Sequence, residues 1–124
     1  MAKIDLEKLS KKINTTLEET ARGVKLDLFN GVIRYTRVKT GRLRGNWQTT
    51  TGKTASGKLE RKDKIPQGVD GGKAQEEVQA NIQPFTTDYL TNNLPYAAKW
   101  EEEDGMIRKN LERVERNIRR RIKK

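Results

Sequence analysis

From position 6 onward the apolar residues fall at Leu6, Leu9, Ile13, Leu17, Ala21, Val24 and Leu28. Steps of three and four residues put them on one face of an amphipathic helix. Asp5 is placed to cap its start, and Leu26, Phe29, Val32 and Ile33 widen the stripe toward its end. The pattern predicts a helix over residues 5–35, on the order of 45 Å long at about 1.5 Å per residue. Gly23 and Gly31 weaken it and mark bends or the close approach of another element. A helix this long on a 124-residue chain projects past its own core, which predicts an assembly surface.

The period then changes. In "TGRLRGNWQTTTG", alternation predicts a strand over about 43–51, with Leu43, Gly45, Trp47 and Thr49 on one face and Arg44, Asn46, Gln48 and Thr50 on the other. Residues 52–73 hold five glycines, a proline and six lysines or arginines, and read as a long mobile basic loop or an extended hairpin. A short helix over 74–83 carries Ala74, Val78 and Ile82 on one side and stops at Pro84. "FTTDYLTNN" reads as a second strand, about 85–91, ended by the turn-forming "NNLP". A C-terminal helical segment over 97–123 is interrupted or re-capped at Asp104-Gly105, with Ile107, Leu111, Val114, Ile118 and Ile122 as its stripe. The sum is one α+β domain over residues 1–124. A long N-terminal amphipathic helix packs on a small antiparallel β-sheet, with a short middle helix and a basic C-terminal helix.

Composition narrows the chemistry. Hydrophobic residues make up 32% and charged residues 35%, so the core is small and partner surfaces supply part of the burial. There is no Cys and no His, which removes thiol nucleophiles, disulfides, imidazole bases and the common zinc sites. Ser10 and Ser56 are the only serines, and neither has an evident base partner. The chain reads as a non-enzyme, with no catalytic, cofactor or metal residues assigned. "MAKIDLEKLSKK" alternates charge with aliphatics, and no apolar run nears spanning length, so neither a signal peptide nor a transmembrane helix is expected.

Charge is distributed in blocks. Residues 1–36 carry +2, residues 37–64 carry +7, residues 65–105 carry −6 and residues 106–124 carry +7, within a total of +10. A pure polyanion binder rarely has such an acidic block, whereas alternating blocks suit head-to-tail docking of identical copies. Gly52 to Lys58 has the glycine and lysine spacing of a phosphate loop, but Leu59 stands where magnesium coordination requires Ser or Thr. Glu101, Glu102, Glu103 and Asp104 read as acids gathered at the positive end of a helix rather than as a cation site. In the final helix Arg108, Lys109, Arg113, Arg116, Arg119, Arg120, Arg121, Lys123 and Lys124 form a basic stripe. With Lys53, Lys58, Arg61 and Lys62 of the loop, Arg113, Arg116 and Arg119 to Arg121 are the candidate contacts to a partner or to DNA phosphates. Trp47 and Trp100 read as core anchors, Tyr96 as the pin of a tight turn, and Arg42 and Arg44 as partners for acids on this chain or a neighbour.

Two segments carry a resemblance. Thr40, Gly41, Arg42, Leu43, Arg44 and Trp47 spell "TGRLR-x-x-W", and Asn92, Asn93, Pro95, Tyr96 and Ala97 spell "NN-x-PYA", followed by acids around Trp100. With the long helix before them, this order resembles the tail-completion or head–tail joining proteins of long-tailed double-stranded DNA bacteriophages. The resemblance covers about residues 20–103. Members commonly have "TPVDTG" where this chain has "TRVKTG", and an "AP-x-G" segment where this chain runs "EEEDGM" into a helix. The resemblance implies a non-catalytic virion protein of the neck or proximal tail, assembled in the bacterial host cytoplasm. It further implies a ring of identical subunits, six-fold favoured, that caps the tail and joins it to the DNA-filled head. Adjacent neck, connector or tail-tube proteins would be its partners, with non-specific contact to packaged DNA and no membrane. The alternative is a non-sequence-specific nucleic-acid-binding module using the 37–64 and 106–124 blocks.

Overall fold

The computed structural model describes residues 5–122, apart from the side chains of Leu6, Leu9 and Ile13. Helix α1 (Leu6–Arg34) leads to a single turn, α2 (Arg42–Gly45), and then to strand β1 (Trp47–Thr51). Helix α3 (Lys73–Asn81), strand β2 (Asp88–Asn92) and helices α4 (Ala97–Asp104) and α5 (Met106–Ile122) follow. The chain is α+β.

Asp5 caps α1 as its position predicts, accepting a hydrogen bond from the Lys8 amide at 3.1 Å. Every side chain described from Ser10 to Thr20 is exposed, so the first half of α1 projects beyond the core. Only its second half is packed, through Phe29, Val32 and Ile33. Those three meet Leu43, Trp47, the buried Ala74-Val78-Ile82 face of α3, and Leu94, Ala97 and Met106. Helix α5 lies along α1, where Arg113 pairs with Asp27 and Asn110 faces Gly31, and it runs antiparallel to it. A Cβ on Gly31 would stand 2.5 Å from both Arg113 Nη2 and Asn110 Oδ1, so this glycine admits the neighbouring helix.

The sheet has two antiparallel strands, with Trp47 opposite Asn92 and Thr51 opposite Asp88. Two strands alone are marginal in water, and here the outer edge of β1 is closed by side chains. Glu77 accepts from the Thr49 amide at 2.7 Å, while Asn81 donates to the Thr49 carbonyl at 2.9 Å. Arg61 donates to the carbonyls of Gly45 and Trp47 at 2.6 and 2.7 Å. These groups satisfy backbone atoms that a third strand would otherwise pair.

The alternation seen in the sequence from position 43 does not make a strand there. Residues 42–45 form a helical turn, and β1 begins at Trp47. Gly41 sets up the turn with φ 83°, and Asn46 closes it by donating its side-chain amide to the Arg42 carbonyl at 2.8 Å. Leu43, Arg44 and Gly45 are consequently buried together rather than on alternate faces. The second strand also begins later than the pattern predicts, at Asp88 rather than 85, and α3 ends at Asn81. The C-terminal segment divides at Gly105, whose left-handed backbone (φ 63°) ends α4 and lets α5 start at once. Residue 123 of the expected helix, and the basic Lys123 and Lys124, lie outside the described residues.

Candidate assembly interface

The two segments that carry the resemblance meet in space. Asn92 lies opposite Trp47 in the sheet and donates its side-chain amide to the Leu43 carbonyl at 2.8 Å. Asn93 reaches the other way, donating to the carbonyls of Ala55 and Gly57 at 2.9 and 3.0 Å. Trp47 is buried, and its indole N–H donates to the Thr36 hydroxyl at 2.8 Å. That hydroxyl in turn donates to the Val32 carbonyl, so one chain of hydrogen bonds fastens the end of α1 to β1. Leu94 and Ala97 fill the space beneath, while Pro95 and Tyr96 stay at the surface where the chain turns into α4.

Arg44 is fully buried and pairs with no carboxylate among the described residues, contrary to the expectation for it. Its guanidinium donates to four carbonyls, those of Ile65, Pro66, Val69 and Gly71, at 3.4, 3.3, 2.7 and 3.0 Å. Burial pulls its pKa down, while the charges of Asp63 and Asp70 oppose that shift. Arg42 likewise forms no ion pair among the described residues, and its Nε has no hydrogen-bond partner there. Asp63 is buried and accepts from the amides of Lys73 and Ala74, both at 2.9 Å, which caps α3. The stretch 52–72 therefore has no regular element, yet Asn46, Arg61, Asp63 and Arg44 tie it down at four places. Its glycines allow the turns, and its interior polar groups hold the path.

The candidate basic contacts divide accordingly. Arg61 is committed to the protein itself, bridging Glu77 as well as the β1 edge. Arg113 is held by Asp27 at 2.9 Å, and Arg119 pairs with Glu115 one turn back. Lys53, Lys58, Lys62, Arg116, Arg120 and Arg121 are exposed, with no ion pair among the described residues. The acids before α5 serve the fold. Glu101 accepts from the amides of Ile107 and Arg108 at 2.8 and 3.1 Å, which satisfies first-turn donors of α5. Asp104 takes a bidentate pair from Arg37, with both bonds at 2.6 Å. That pair holds its carboxyl below the ordinary range and raises the pKa of Arg37.

Two surfaces remain open. One is the seam between the outer ends of α1 and α5, where Leu17 is 54% and Ile122 is 77% exposed and Ile118 lines a groove with Glu19 and Thr20. The other is a cleft of about 1010 Å³ between residues 35–43 and the α4–α5 corner. Arg37 lies over the Trp100 ring there, 3.7 Å from its centroid, so Trp100 is half-buried, packed against the core on one side and covered by a cation on the other. The sequence pattern misses Arg37 and Lys39 as lining residues and places Lys109 only in the basic stripe of the final helix, because the cleft joins segments some seventy positions apart and no periodicity links them. Comparison with family models, with curated proteins and with solved structures finds no match.

Proposed function

We propose that this chain is a structural subunit of the neck or proximal tail of a long-tailed bacteriophage. It completes the tail and joins it to the DNA-filled head as one copy in a homo-oligomeric ring, with six copies favoured. The observation that carries this reading is the meeting of "TGRLR-x-x-W" and "NN-x-PYA" at one corner, through the Asn92–Leu43 bond and the Trp47–Asn92 register. The motif residues thus act as a joint between helix and sheet, a role suited to a scaffold rather than to a reacting centre. The projecting half of α1 and the open α1–α5 seam supply the surfaces that a neighbouring copy covers. Size-exclusion chromatography with light scattering tests the assignment. The expected result is an assembly of several copies, alone or on adding connector or tail-tube protein, and a salt-insensitive monomer under both conditions would overturn it.

The six exposed candidate cations without ion pairs among the described residues favour one rival, a non-specific nucleic-acid module. A salt titration of duplex binding separates the two. Submicromolar affinity that falls steeply with salt supports the module, and weak binding supports the structural subunit.

A further inference from the structure

The cleft between residues 35–43 and the α4–α5 corner is lined by groups of two kinds. Leu43, Met106, Tyr96 and Trp100 give it an apolar, aromatic interior. Lys109 and Arg116 give its α5 wall positive charge, and neither side chain has a hydrogen-bond or ion-pair partner among the described residues. The acid nearest the interior, Asp104, is already neutralised by the bidentate Arg37. Cations without a direct partner beside an apolar hollow call for carboxylates attached to an apolar group.

Spacing sharpens the match. Lys109 and Arg116 are seven residues apart on one helix, about 10.5 Å along its axis. Side chains of an extended peptide alternate between faces, so carboxylates at positions i and i+4 share one face about 13 Å apart, a span that the long Lys109 and Arg116 side chains can meet from the helix. We propose that this cleft is a binding site for an extended acidic segment of a partner protein, with two carboxylates four positions apart and an aromatic or aliphatic side chain midway between them on the same face. Nucleic acid fits less well. The Trp100 ring is already engaged by Arg37, and Lys99 Nζ lies 5.3 Å from its centroid, which leaves little of the indole for a base to stack on. This inference stands on the cleft alone and does not depend on the ring assignment.

Trp100 lines the cleft and Trp47 is buried, so intrinsic fluorescence of the full chain reports occupancy. The probe is the peptide acetyl-EGFGE-amide, with acetyl-KGFGK-amide and acetyl-EGAGE-amide as controls. The expected result is a saturable fluorescence change with the first, none with the second and weaker binding of the third. The exposed-site double variant Lys109→Glu/Arg116→Glu is expected to weaken binding by about tenfold or more, and Lys109→Gln/Arg116→Gln by less. No saturable change with acetyl-EGFGE-amide, or equal binding by acetyl-KGFGK-amide or by the charge-reversed variant, would overturn the proposal. So would a short DNA duplex that perturbs Trp100 when the acidic peptide does not. Self-association that the charge reversal abolishes, in a protein that ignores the peptide, would assign the cleft to a second copy and equally overturn it.

Discussion

Arg44 shows how one residue can organise a segment that has no regular structure. Four carbonyls from positions 65–71 converge on its buried guanidinium, and removing it takes the shared donor from all four at once. Arg44→Met is expected to cost about 3 kcal/mol or more in urea-denaturation stability. Arg44→Lys should recover little of it, because one ammonium cannot match a planar fork of donors. Gly41 is the second such position. Its φ of 83° is paired with the Asp63 backbone 2.6 Å from where a Cβ would stand, so neither the conformation nor the space suits a side chain. Gly41→Ala is expected to lose about 2 kcal/mol in the same assay, and a neutral result would remove this glycine from the joint. Neither role was legible in the sequence. A charged residue in an alternating stretch reads as the solvent face of a strand, and only carbonyls more than twenty positions away make position 44 an interior site. Trp47, by contrast, was legible, because a single large apolar residue among polar ones has to be buried.

At the scale of elements, the amphipathic patterns of α1, α3 and α5 were legible, since a stripe at helical spacing needs only local sequence to be seen. Three features were not. The helical turn at 42–45 depends on Gly41 and on the Asn46 side chain, the pinning of 52–72 depends on long-range polar contacts, and the cleft joins remote segments. Acid-sensitive pairs hold several elements to one another. Arg37–Asp104 joins the segment after α1 to α4, and Lys25–Asp88 joins α1 to β2. Burial works against the charged form of Asp88, but Lys25 and the hydroxyls of Thr51 and Thr86 outweigh it and hold its pKa below the ordinary value. Asp104 is depressed chiefly by its hydrogen bonds from Arg37. A carboxylate depressed in the folded state stabilises above its unfolded pKa, and that stabilisation is lost as pH falls through the folded value. Thermal melts should therefore change little between neutral pH and about 5, then fall from about 4 downward. Asp104→Asn should lower the melting temperature at neutral pH and flatten the acid limb. An acid limb identical to that of the parent protein would show that the Arg37 pair contributes nothing.

On the scale of the whole molecule, a small core holds one end of a long helix and leaves the other end in solvent. The basic, acidic and basic blocks of the sequence do not simply pair off within the chain. Arg61, Arg113 and Arg37 find internal acids, while Lys53, Lys58, Lys62, Arg116, Arg120 and Arg121 stay exposed without ion pairs among the described residues. Apolar positions remain open at the same time along the outer ends of α1 and α5. Exposed aliphatics rimmed by charge suit a subunit whose surface is completed by neighbours. That arrangement is the central claim, and native mass spectrometry of the parent chain and of Leu17→Asp/Ile122→Asp tests it most directly. Both positions are solvent-exposed, so the variant should keep the parent's circular-dichroism melt. The account predicts a closed oligomer of fixed stoichiometry for the parent chain and monomers for the variant. A parent chain that stays monomeric at every concentration, or a variant that assembles as the parent does, would contradict it.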